Sequence, residues 1–199
     1  MNIKDPYLHS ILRSKQTVFS TTDVAIIWQE NNRPNLNERL SYYASKNMLH
    51  RIRSGFYAKD KDYNRYEFAT KLYPPSYIGL NTVLGLEGIN FQYYSSIFIL
   101  SRVSRELKID GQNYIYKKIK DEVLVNTQGL INRGYYYQAS KERTILDVMY
   151  LYGDFYFDNL ASIDWEQCFE LVKIYSKKSM LKRLDSYYKD YKEEYGREN

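Results

Sequence analysis

Between Pro34 and Lys59 the chain reads PNLNERLSYYASKNMLHRIRSGFYAK, and within that stretch its apolar period changes from helical to extended. Leu36, Leu40, Tyr43 and Asn47 recur at spacings of four, three and four, which places them on one side of a helix. HRIR-SG-FYAK then has the form of two short strands about a Ser54-Gly55 turn, with Arg51 and Arg53 on one strand face and His50 and Ile52 on the other. A helix that runs straight into a hairpin leaves few arrangements open to the chain around it. Both elements also share a charge excess, with Arg33, Arg39, Lys46, Arg51, Arg53 and Lys59 set against Glu38 alone. A phosphate backbone is the natural partner of such a surface.

The residues upstream extend the pattern. Pro6–Ser14 predicts a first helix, with Tyr7, Leu8, Ile11 and Leu12 on one side and Pro6 in the first turn. Thr17–Ser20 reads as an extended connector, Thr21 or Thr22 as the cap of a second helix through Val24, Ile27 and Trp28, and Gln29–Arg33 as a turn. Helix, helix, turn, helix and hairpin is the order of a winged helix-turn-helix. Opposite Leu36, Leu40 and Tyr43, the third helix would present Glu38, Ser41, Tyr42 and Ser45, flanked by Asn35, Asn37, Arg39 and Lys46. Asn and Arg can bond base edges in pairs, whereas Ser and Lys more often meet phosphate. The candidate DNA-binding residues are therefore Arg33, Asn35, Asn37, Arg39, Ser41, Tyr42, Ser45 and Lys46, with Arg51, Arg53, Ser54 and Lys59 from the hairpin. An ordinary solvated face on a small helical domain is the alternative reading.

Charge separates this region from the rest of the 199 residues. Residues 1–60 hold 9 Lys/Arg and 5 Asp/Glu, whereas residues 61–199 hold 20 and 19. The polar stretch KDKDYN at 59–64 reads as a linker, so the expected domains are a winged helix-turn-helix over 1–60 and a C-terminal domain over 65–199. In the second domain Tyr66–Leu72 predicts a short helix stopped by Pro74-Pro75, and Tyr77–Glu87 a helix ending at Gly88. Strands are expected at 95–102, 114–119 and 122–125, with Asp110-Gly111 as a hairpin turn between the first two. YYYQAS leads into the helix KERTILDVMYLYG, capped by Ser140 and ended by Gly153. From Asp164 onward two helical segments break near Ser176–Ser179, and the tail Gly196–Asn199 is expected to fray. The predicted class is α+β: a winged helix-turn-helix followed by a mixed α/β domain with a small sheet and a helical C-terminus.

Little in the sequence points to catalysis. Cys168 is the only cysteine, which precludes an intramolecular disulfide and a cysteine zinc site and suits a reducing cytoplasm. The start of the chain has no apolar run of signal-peptide length, and no segment approaches the roughly 20 apolar residues of a membrane span. His9 and His50 stand apart from clustered acids, and no phosphate-binding glycine loop, dinucleotide fingerprint or HExxH motif is present. No enzyme activity, cofactor or metal is expected. Lys177, Lys178, Lys182 and Arg183 form a second basic cluster, read either as solvated helix surface or as additional phosphate contacts. The 23 tyrosines admit two uses, as stacking platforms for single-stranded bases or as substitutes for Phe in cores. The first would make the chain an RNA- or protein-binding adaptor working through its Tyr-rich C-terminal domain.

Three stretches resemble the AbiEi antitoxin family, the regulator half of a bacterial abortive-infection, type IV, toxin–antitoxin pair. They are VFSTTDVA with LSYYASKNMLHRIRSGFYAKD, then SYIGLNTVLGLEGI, then YYYQASKERTILDVMYLYG. Their order and spacing carry the resemblance, which runs from about Thr17 to about Gly153; the tip Arg53-Ser54-Gly55 departs from the family's more Arg/Gly-rich wing. The resemblance implies a transcriptional autorepressor that binds inverted repeats of double-stranded DNA in its own promoter. It further implies a C-terminal domain that counteracts a nucleotidyltransferase-type toxin without forming a stable complex with it. The assembly expected is a monomer in solution with more than one copy on the operator.

Overall fold

The structure is a computed structural model and describes residues 5–195; the tail expected to fray lies outside them. It is mixed α+β, with two sheets, and it divides into the units Met1–Lys71 and Leu72–Asn199.

In the first unit α1 spans Pro6–Arg13, and the Asp5 carboxylate caps it by accepting the N–H groups of Tyr7 and Leu8 at 3.0 and 3.4 Å. β1, Val18–Ser20, runs into α2, Thr21–Trp28. The cap of α2 is Ser20 rather than either threonine. Its hydroxyl accepts the Asp23 N–H at 3.0 Å while the Asp23 carboxylate accepts the Ser20 N–H at 2.8 Å, a reciprocal pair that neither Thr could form. Asn32 caps α3, Arg33–Ser45, which buries Leu36, Leu40 and Tyr43 as their spacing requires. Asn47, expected on the same face, lies past the helix end at φ 53 and is exposed. β2, His50–Arg53, and β3, Phe56–Ala58, pair antiparallel across Ser54-Gly55, and β3 lies between β1 and β2 in the sheet. A core built from Leu8, Ile11, Phe19, Val24, Trp28, Leu36, Leu40, Tyr43, Leu49 and Tyr57 joins the three helices to β1 and β3.

α4, Arg65–Leu72, was expected to open the second domain. The division falls later, at Lys71, because α4 is stitched to β1. The buried Glu67 accepts the Thr17 N–H at 3.0 Å, the Thr17 hydroxyl at 2.7 Å and the Val18 N–H at 3.3 Å, and Lys71 meets Asp23 at 3.0 Å.

The sheet of the second unit is larger than the small one expected. Its six strands are β4 (Ser76–Ile78), β5 (Ile97–Ser101), β6 (Arg105–Ile109), β7 (Gln112–Lys118), β8 (Leu130–Asn132) and β9 (Tyr137–Ala139), in the order β6-β7-β5-β4-β9-β8. Asp110-Gly111 does form a hairpin turn, but it joins β6 to β7, and β5 lies parallel to β7. The segment 77–87 splits into β4 and α5, Leu80–Leu86, at Gly79, where an added Cβ would lie 2.9 Å from the Leu100 side chain. Residues 122–124 belong to a short helix, α6, Asp121–Leu124, and Val125 is its C-cap, where a strand was expected.

Ser140 caps α7, Lys141–Tyr152, as expected. α8 (Trp165–Leu171), a 3-10 turn (Val172–Tyr175) and α9 (Lys178–Tyr195) complete the unit, with the break at Ser176. α7 is buried from Glu142 to Met149, so Arg143 and Asp147 lie inside the core. There the Arg143 Nε donates to Asp147 at 3.3 Å and its terminal nitrogens donate to the Val123 and Gln128 carbonyls at 2.7 and 2.8 Å. The Tyr77 and Tyr175 hydroxyls donate to the same carboxylate at 2.9 and 2.7 Å. Burial first, and then the nearby carboxylate, push both phenol pKa values well above the usual range.

Candidate nucleic-acid interface

Because α3 turns its apolar side to the core, Asn35, Asn37, Glu38, Ser41, Tyr42, Ser45 and Lys46 are exposed. Between this face, the start of α2 and the β2–β3 hairpin lies an open cleft of about 610 Å³. Arg33, Asn37 and Ser41 line it from α3, one helical turn apart in succession, and Arg51, Ser54 and Gly55 line it from the hairpin. The side chains of Arg33, Arg51 and Arg53 make no hydrogen bond or ion pair among the described residues, so their guanidinium groups are available to a ligand. The one carboxylate on the cleft wall, Glu30, is turned back to accept the Asn32 N–H at 2.8 Å.

The other expected residues lie elsewhere. The guanidinium of Arg39 stacks on the Tyr7 ring, 3.6 Å from its centroid, and lies 5.7 Å from that of Trp28. It ties α3 to α1 and α2 and does not line the cleft. Lys59 donates its ammonium to the Ser14 carbonyl. Ser45 donates to the Tyr42 carbonyl of its own helix at 2.8 Å. Tyr42 is half exposed with its ring edge on Tyr43, and Asn35, Lys46 and Arg53 are exposed outside the cleft lining.

Sequence reasoning missed Thr21 and Thr22, which line the cleft from α2, and Asn31, which lines it just ahead of α3. Thr21 and Thr22 occupy the first turn of α2, and Asn31 precedes the cap of α3. Reading the threonines only as caps hid their place on the cleft wall.

In the second unit the basic cluster is partly consumed. Arg183 donates to Asp154 at 2.9 Å and to the Met149 carbonyl at 3.1 Å, closing the end of α7. Lys177 sits 4.2 Å from the centroid of the Tyr150 ring, whereas Lys178 and Lys182 are exposed. Cys168 is fully buried, and that burial pushes its thiol pKa up from the ordinary value. Among the described residues no three His, Cys, Asp or Glu side chains are grouped to hold a metal ion, and no helix is long and apolar enough to cross a membrane.

No protein-family model matches the chain, and no curated protein is significantly similar to it.

Proposed function

We propose that the chain is a DNA-binding transcriptional autorepressor that also serves as the antitoxin of a toxin–antitoxin pair. The observation that carries the DNA half is the cleft of the first unit, where Arg33, Asn37 and Ser41 on α3 face Arg51 and Ser54 on the hairpin. In this reading the first unit is a winged helix-turn-helix, α3 enters a major groove, and the hairpin is a wing over the adjacent phosphates. On the same reading Asn37 bonds a base edge, and the guanidinium groups of Arg51 and Arg53 meet phosphate. Repression follows from occlusion of the promoter by copies bound at inverted repeats.

The antitoxin half is supported by the resemblance to AbiEi antitoxins in the order of three stretches. It assigns to the C-terminal unit an action against a nucleotidyltransferase-type toxin, without a stable complex. A cytoplasmic protein that needs no cofactor or metal, and is not itself an enzyme, belongs to the same reading.

The test is a salt titration of the purified protein on a duplex carrying the DNA immediately upstream of its gene, against a scrambled duplex of equal length. Tighter binding to the upstream duplex that persists as salt rises is the expected result. Equal, steeply salt-sensitive binding to both duplexes would reduce the first unit to a non-specific electrostatic tether.

A further inference from the structure

The second unit carries a surface for which DNA binding has no use. Neither Leu72–Ser101 nor Thr144–Val172 contains a lysine or arginine, in a protein of formal charge +5. The fold brings the middles of these two cation-free segments together. Phe91 donates its N–H to the Asp158 carboxylate at 2.8 Å, and Asn159 donates its N–H to the Ile89 carbonyl at 3.0 Å. The Tyr187 hydroxyl on α9 fixes the second segment, donating to the Phe155 carbonyl at 2.6 Å and accepting its N–H at 2.7 Å. From 155 to 158 the side chains alternate as in any extended chain. Phe155 and Phe157 pack on the core while Tyr156 and Asp158 are exposed.

The result is an outward-facing set of large side chains on anchored backbone: Phe91 is 74% exposed, Tyr93 89%, Tyr156 80%, and Leu86, at the end of α5, 57%. Apolar area of this kind gains nothing from folding and is stabilised only when a partner covers it. The exposed charged residues flanking it in the two segments are Glu87, Asp154 and Asp158, all acidic; Asp154 is paired with Arg183 of α9, which leaves Glu87 and Asp158 without a cation. Such a rim repels phosphate and draws cations, and the tyrosine faces add a further attraction for Lys and Arg.

We propose that this surface docks a protein partner that presents lysine or arginine around an aliphatic or aromatic anchor. Aromatic side chains at the centre of a patch are the usual anchors of protein interfaces, and the acidic rim sets the sign of the partner. The proposal is independent of the DNA reading, since it uses none of the first unit's residues.

The experiment is selection of a displayed random-peptide library on the full-length protein, followed by affinity measurement of the enriched peptides. They are compared on the wild type, on the triple variant Phe91→Ser/Tyr93→Ser/Tyr156→Ser and on Glu87→Lys. Enriched peptides should combine Lys or Arg with an apolar residue, bind the triple variant at least about ten-fold more weakly and lose affinity to Glu87→Lys. Tyr93→Ser alone, at the most exposed of the three positions, gives the same comparison if the triple variant does not fold. Absence of enrichment, enrichment of acidic peptides, or affinities unchanged by these substitutions would overturn the proposal. So would tight binding of a mixed-sequence single-stranded oligonucleotide that the triple variant loses, since that would make the surface a base-stacking platform.

Discussion

Thr21 donates both its backbone N–H and its hydroxyl to the carbonyl of Gly55, at 2.9 and 3.3 Å. The tip of the β2–β3 hairpin is thereby fixed to the first turn of α2, and this pair of bonds sets the width of the cleft between the hairpin and α3. Gly55 holds φ +81, a conformation that disfavours any side chain, yet the only atom near an added Cβ is the Thr21 Oγ1 at 3.8 Å. Gly55→Ala should therefore cost about 1 kcal/mol through backbone strain without a clash. Chemical denaturation measures that loss, and the same variant should bind duplex DNA more weakly because the tip is displaced.

The two kinds of arginine in the first unit should separate in one assay. Arg51→Ala with Arg53→Ala removes groups that have no internal partner among the described residues, so stability should hold within about 0.5 kcal/mol. Duplex affinity should fall for all sequences, and the salt slope should flatten by about 0.9 for each phosphate that is no longer neutralised. Arg39→Ala removes the cation stacked on Tyr7 and should lower stability by about 0.5 to 2 kcal/mol while leaving the salt slope unchanged. A slope that falls in Arg39→Ala and not in the hairpin variant would reverse the assignment of roles.

Base readout, if it resides in Asn37, has its own signature. Asn37 is exposed and lines the cleft, so Asn37→Ala should be nearly neutral for folding. It should reduce discrimination between the upstream duplex and a point-mutated operator by about 1 to 3 kcal/mol at one base position, with the salt slope retained. Binding of the variant to a panel of single-base operator changes measures this directly.

What the sequence made legible follows from how local each signal is. Leu36, Leu40 and Tyr43 announce the buried side of α3 because helix periodicity needs only neighbours in the chain. Ser140 and Gly153 mark the ends of α7 for the same reason. Arg39 could not be excluded from the groove by spacing, since the Tyr7 ring that captures it belongs to another helix. β6 was missed because the edge strand RELKI leaves most of its side chains in water and its alternation is confined to Leu107 and Ile109, too short a pattern to stand out. Val123 and Leu124 have the composition of a strand but are helical, and the Arg143 guanidinium takes the Val123 carbonyl at 2.7 Å.

The buried pair Arg143 and Asp147 should be costly to break and tolerant of little. Both side chains are 0% exposed, and the guanidinium is held by the carboxylate, by backbone carbonyls and by the Tyr77 hydroxyl. Asp147→Asn keeps the shape but leaves a buried cation without its counter-charge, so the second unit should lose about 3 to 5 kcal/mol. Urea unfolding monitored by tyrosine and tryptophan fluorescence measures the loss. A change below about 1 kcal/mol would mean that water reaches the pair in solution.

Acid sensitivity of the first unit should trace in part to Asp23. Its partial burial opposes ionisation, but the Ser20 N–H and the Lys71 ammonium outweigh that and leave its pKa below the ordinary value of 3.8. A group whose pKa is depressed in the folded state binds protons more weakly there than in the unfolded chain. Its contribution to stability is therefore complete above the unfolded pKa and is lost as pH falls through the folded one. Asp23→Asn should thus be less stable than the wild type at pH 7, by about 0.5 to 2 kcal/mol with the capping contribution included. The gap should begin to narrow as pH drops below about 4, where the carboxylate of the unfolded chain takes up its proton, and close as the folded one follows at lower pH. Thermal unfolding of both proteins at successive pH values from 7 to 3 checks the sign: a gap that widened toward acid would mean that Asp23 is held protonated in the fold and that Ser20 and Lys71 do not stabilise its charge.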